Sequence, residues 1–112
     1  MDKITRYQGI ISNFLTEYVK NAQISTSPNV RPRILLDTTH NSFQLTQIGW
    51  NKDEYVLCIE FHFDIIDGKI WLQCNNTEWE VDTILIEKGV AKEDIIIGFL
   101  PPYYREIAKS AA

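Results

Sequence analysis

Apolar residues at Ile4, Tyr7, Ile11, Phe14, Leu15 and Tyr18 recur at spacings of three, four and seven, the period that lines them up along one side of an α-helix. The spacing predicts a helix from Lys3 to Lys20, with Asp2 as its N-cap. From Asn21 to Arg33 no period holds, and Ser25, Thr26, Ser27, Pro28 and Pro32 mark a connecting loop. Beyond it the period falls to two. Ile34 to His40, Phe43 to Trp50, Tyr55 to Ile66 and Lys69 to Asn75 read as strands, and the links between them are short enough to make neighbours antiparallel.

The most informative link is Asp67-Gly68, which suits a two-residue type I′ hairpin because both of its central positions need φ above zero. That turn pairs Ile66 with Lys69, Asp64 with Trp71, Phe63 with Leu72, His62 with Gln73 and Phe61 with Cys74. Carried along both strands, the alternation assigns Leu57, Ile59, Phe61, Phe63, Ile65, Ile70, Leu72 and Cys74 to the core face. Cys58, Glu60, His62, Asp64, Trp71, Gln73 and Asn75 fall on the other. The two cysteines then lie on opposite faces, which rules out a disulfide between them.

Thr77 followed by Glu80 has the form of a capping box, opening a second helix that carries Val81, Ile84, Leu85 and Lys88 and stops at Gly89. Asp94 to Phe99 reads as a short buried extended segment, and Pro101-Pro102 separates it from a terminal helix around Tyr103 to Lys109. The expected fold class is α+β: an N-terminal helix, a four-stranded antiparallel β-meander and a C-terminal helix packed on one face of the sheet, in a single domain over residues 1–112.

Composition adds exclusions. A chain of 112 residues, 45% hydrophobic and 23% charged, is of ordinary globular type. Its net charge of -4 opposes direct binding of nucleic acid by the monomer, which needs a concentrated positive field. Lysines and arginines are scattered, and only Arg31 with Arg33 makes a local basic spot. The N-terminus lacks an apolar signal core, and no stretch approaches the roughly 18 apolar residues of a membrane span, so a cytoplasmic protein without membrane contact is expected.

Candidate chemistry is sparse. Glu60, His62 and Asp64 alternate along one strand about 6.6 Å apart at successive positions, a carboxylate-histidine-carboxylate set able to hold a divalent cation. The same alternation is what any half-solvated strand shows, so a metal-dependent hydrolase or nuclease subunit stands as the alternative reading. His40 beside a turn reads as a surface histidine, and Cys58 lies too far from His62 along the strand to be activated by it. Phosphate-binding glycine loops, Gly-x-Ser-x-Gly, His-Glu-x-x-His and Cys-x-x-Cys do not occur. Neither a catalytic residue nor a cofactor is expected.

Trp71 stands among Glu60, His62, Asp64 and Gln73 on the polar face, as a binding anchor would, unless the segment from Phe99 to Tyr104 folds over it. The expected partner-binding residues are Trp71, Gln73, His62 and Asp64, with Tyr103, Tyr104 and Arg105 of the tail. An open sheet with a free edge and an uncovered face also makes a homodimer an expectation.

Taken in order, these pieces resemble the XisI-like family of controlling factors for excision of the fdxN element in cyanobacteria. The resemblance rests on the opening helix with Tyr7 and Leu15, Gly49-Trp50, His62-Phe63-Asp64-Ile65, Asp67-Gly68-Lys69-Ile70-Trp71 with Gln73, Thr77-Glu78, Gly89-Val90, Lys92-Glu93-Asp94-Ile95, Gly98-Phe99, Pro101 and Arg105. It implies a part in programmed DNA rearrangement during heterocyst development, in which a separate recombinase cuts. It also implies an XisH-like partner beside which this chain is the accessory, non-catalytic member.

Overall fold

In the computed structural model, which describes residues 2–21 and 28–103, helix α1 spans Lys3–Asn21. Asp2 caps it, accepting from the Thr5 amide at 2.8 Å, and that hydrogen bond holds its carboxyl below the ordinary range. Four strands follow as an antiparallel meander: β1 (Val30–Asp37), β2 (Ser42–Asn51), β3 (Glu54–Ile66) and β4 (Lys69–Asn75). The β3–β4 turn has φ of 52° at Asp67 and 77° at Gly68, the double positive φ of a type I′ hairpin.

Helix α2 (Val81–Glu87) then carries the chain back across the sheet, through a single 3₁₀ turn (Lys92–Asp94), to a fifth strand, β5 (Ile95–Ile97). β5 lies parallel to β4, pairing Ile70 with Ile95 and Leu72 with Ile97. The sheet is thus mixed and five-stranded, where the sequence suggests an antiparallel four. A three-residue strand is too short to show a period, and only the helical crossover before it makes parallel pairing possible. α2 begins later than its capping box predicts. Glu80 is its N-cap without a side-chain bond, while the Thr77 hydroxyl donates to Asn75 Oδ1 at 2.7 Å and accepts from the Trp79 amide at 3.1 Å. The helix closes in a Schellman motif, with Gly89 N–H on the Ile86 carbonyl and Val90 N–H on that of Leu85.

The core lies between α1 and one face of the sheet. Tyr7, Ile11, Phe14, Leu15 and Tyr18 pack onto Phe43, Leu45, Phe61, Phe63, Ile65, Ile70 and Leu72, with Val81, Leu85 and Val90 closing the side under α2. The buried carboxylate of Asp94 ties α1 to the start of β5, accepting from the Tyr7 hydroxyl at 2.6 Å and from Lys3 Nζ at 2.9 Å. Those bonds, Tyr7 first, hold its carboxyl below the ordinary value of 3.8.

A carboxyl depressed in the folded state contributes stability that is present above its unfolded pKa and lost as pH falls through its folded one. Asp94→Asn is therefore expected to destabilise the protein by about 1.5–3 kcal/mol at neutral pH, the scale of a hydrogen bond to a charged group. Urea unfolding of both proteins across the acid range checks this: the gap between them should narrow as the pH drops below 3.8. A gap independent of pH would show that the charge contributes nothing.

Two bulges break the alternation of the sheet. Toward β2, the ladder passes from Leu45–Phe61 to Thr46–Ile59 and leaves Glu60 over; toward β4, it passes from Phe63–Leu72 to His62–Cys74 and leaves Gln73 over. The pairing set by the hairpin therefore holds from Ile66–Lys69 to Phe63–Leu72 and then shifts, so that Phe61 meets Asn75 rather than Cys74. Beyond Glu60 every β3 side chain changes face. Leu57 and Ile59, assigned to the core by simple alternation, are 63% and 39% exposed on the face turned away from α1, opposite Ile48 and Thr46. Cys58 and Cys74 are both free thiols.

Candidate functional site

The face of the sheet turned away from α1 carries a polar cluster drawn from three strands. β2 supplies Ser42 and Gln44, which lie directly opposite Asp64 and His62 of β3 in the register, and β4 supplies Trp71 and Gln73. Period-two alternation explains the set: Phe43, Phe61, Phe63 and Leu72 point into the core, so their neighbours point away from it.

Asp64 is the hub. Its carboxylate accepts from Ser42 Oγ at 2.7 Å and from Gln73 Nε2 at 3.3 Å, and His62 Nε2 lies 3.0 Å from it. His62 Nδ1 in turn lies 2.9 Å from Gln44 Oε1. Burial by itself would raise the Asp64 carboxyl, but the bonds from Ser42, His62 and Gln73 outweigh it and hold the group below the ordinary carboxylate range. Gln73, the residue left over at the β4 bulge, is the one that reaches this carboxylate from β4. Gly98 assists: a Cβ there would collide with the Gln73 side chain and come within 3.2 Å of the Trp71 ring. Gly98 also donates its amide to the Leu72 carbonyl at 2.8 Å, so the chain leaving β5 is fixed against Trp71 and Gln73. Trp71 is consequently half-buried.

The structure thus brings together His62, Asp64, Trp71 and Gln73 of the expected binding residues and adds Ser42 and Gln44. Those two escape a sequence reading because Ser42 looks like part of a turn. The signal that finds them is cross-strand register: once β2 is paired with β3, Ser42 and Gln44 must face Asp64 and His62. Of the expected tail residues, Tyr103 is 71% exposed, while Tyr104 and Arg105 lie outside the described residues. His40 is exposed in the β1–β2 turn, with Nδ1 2.8 Å from Asp37 Oδ2.

Glu60 does not join His62 and Asp64. As the leftover residue of the β3 bulge it is half-buried, which raises its carboxyl, and its charge acts on Tyr18 of α1 and on Cys74. Both of those are raised first by their own burial and then by Glu60. Among the described residues no group of three or more His, Cys, Asp or Glu side chains is placed to hold a metal ion. The Ser42 hydroxyl is turned to Asp64 rather than to an imidazole, so the trio of Ser42, Asp64 and His62 lacks the base-to-nucleophile contact that activates a serine. The arrangement is a rigid, hydrogen-bonded polar surface beside an indole. Among the described residues no helix is long and apolar enough to cross a membrane.

Comparison with known proteins sharpens this picture. The family model described as XisI protein matches residues 1–112. The crystal structure of a XisI-like protein from Anabaena variabilis superposes with a TM-score of 0.85 at 35% identity, covering 93% of this chain and 94% of that one. The fdxN element excision controlling factor XisI of Anabaena variabilis superposes with a TM-score of 0.77 at 27% identity, covering 93% of this chain and 99% of that one. No protein of curated function matches the chain.

Proposed function

Because the chain belongs to the XisI protein family, we propose that it is a cytoplasmic controlling factor for excision of a DNA element, acting as the non-catalytic subunit that binds an XisH-like protein. The observation that carries the binding role is the Asp64 hub, where Ser42, His62 and Gln73 converge on one carboxylate beside Trp71. A partner that docks here meets polar groups already fixed in place, so less side-chain freedom is lost on association. An indole at the edge of such a polar set is the kind of anchor on which interface energy concentrates. The net charge of -4 favours contact with a protein over direct contact with phosphates, and excision would be governed through the partner.

The test is co-expression with the XisH-like protein of the same genome, followed by size-exclusion chromatography with light scattering. A stable complex is expected, weakened about tenfold or more by Trp71→Ala, as for a central aromatic anchor. Two separate peaks for the wild-type pair would remove the proposal. A complex indifferent to Trp71→Ala would remove this face from it.

A further inference from the structure

The bulge at Glu60 creates a second surface that the polar cluster does not use. Beyond it, β2 and β3 run on as an arm whose face turned away from α1 carries Trp50, Tyr55, Leu57 and Ile59, exposed by 53%, 51%, 63% and 39%, with half-buried Ile48 between them. Trp50 and Tyr55 face each other across the two strands with ring centroids 5.2 Å apart, which stiffens the tip of the arm. Taking roughly 150–250 Å² for each large side chain, the patch exposes on the order of 450 Å² of apolar surface. That lies well within the range of about 300–600 Å² for the largest patch on a monomer, which is often functional.

We propose that this arm face is the interface of a two-fold symmetric dimer of the chain. The area fits: one side of a standard interface covers about 800 Å², of which about 60% is apolar, close to what the arm presents. The charge pattern fits as well. Exposed Arg31 and Arg33 of β1 flank the patch opposite Ile48 and Thr46, while Asp53 and Glu54 stand at the tip beside Lys52. A partner of one charge sign meets repulsion at one end or the other. A second copy running antiparallel brings its acidic tip toward the arginine pair of the first, and the reverse, which is the self-complementarity a two-fold interface requires. Sheet faces pack in this manner with their side chains interleaved, about 10 Å apart. The polar cluster around Trp71 sits at the other end of the face, away from this interface.

Sedimentation velocity across the micromolar range, on the wild type and on Leu57→Glu and Tyr55→Glu, tests the assignment. Leu57 and Tyr55 are already exposed, so both variants should keep the wild-type circular dichroism, with thermal transitions lowered only by what dimerisation contributes. The wild type is expected at twice the 13.0 kDa of the chain, and each variant at the monomer mass or with dimerisation weakened by about thirtyfold or more. Trp71→Ala should leave the dimer intact. A wild type that remains monomeric overturns the proposal, as does a dimer unaffected by Leu57→Glu. A monomeric wild type whose XisH-like complex is lost on Leu57→Glu also overturns it and gives the arm to that partner.

Discussion

Phe14→Ala is expected to cost about 3–5 kcal/mol of folding stability, the range for truncating a buried aromatic whose surroundings cannot close over the gap. Phe14 is 1% exposed and stands where three elements meet. Its ring lies edge-on to Phe61 at 5.1 Å, to Phe63 at 5.7 Å and to Trp79 at 6.2 Å, the last from the segment that leads into α2. Beyond the area it buries, each such edge-to-face pair adds about 0.5–1.5 kcal/mol. The loss is a large share of the roughly 5–15 kcal/mol that holds a domain together. Urea unfolding followed by tryptophan emission reads the effect. The midpoint should fall with little change in slope, and native emission should shift to the red as Trp79 loses its neighbour. A cost under about 1 kcal/mol would mean that α1 does not pack on the sheet as described.

Phe14 was legible because a helix repeats without interruption: one period, read along its length, finds every buried residue of α1, though not Ile10 and Val19, which pack at the margin of the core. The strands were legible only as far as their pairing is regular. Asp67-Gly68 sets the hairpin, and the pairs from Ile66–Lys69 to Phe63–Leu72 follow from it. At Glu60 and Gln73 the chain inserts an extra residue, and nothing in the composition marks the event. Glu60 is polar in a position where alternation expects a polar residue, so the pattern looks unbroken while every β3 side chain that precedes it in the chain turns over. One unmarked residue thus moves Leu57 and Ile59 out of the core and separates Glu60 from His62 and Asp64. Within the candidate site, Asp64 and Trp71 keep the pairing that the hairpin sets, while His62 keeps its face but pairs with Cys74 rather than with Gln73. Ser42 and Gln44 required the β2–β3 register, which the Asn41-Ser42 turn obscures. β5 needed more still, since its three residues pair only after α2 has returned the chain to the edge of β4.

Gly49→Ala should be at least as damaging, for a reason that no repacking of side chains can relieve. Gly49 has φ of 145°, a conformation L side chains rarely adopt, and strain of this kind costs about 1–3 kcal/mol. Its position opposite Val30 in the β1–β2 ladder adds a steric conflict. A Cβ would overlap the Asn29 carbonyl oxygen and lie 2.9 Å from Val30 Cα, and both of these are backbone atoms. The same Asn29 oxygen accepts from the Trp50 amide at 3.2 Å, so it cannot retreat without breaking that bond. The first residues of β1 must therefore leave β2, exposing Val30, now 9% accessible. A total cost above about 3 kcal/mol is expected from the strain and the lost bond together. Hydrogen exchange should show amide protection falling first along β1 and the neighbouring end of β2, with α1 and β4 least affected. Gly9→Ala supplies the opposite sign, because a Cβ there has open space within 4 Å and the site is an exposed helix position, where alanine gains roughly 0.5–1 kcal/mol over glycine. If Gly49→Ala proved neutral, the close approach of Asn29 to Gly49 would be wrong, and with it the account of how β1 is seated against the arm.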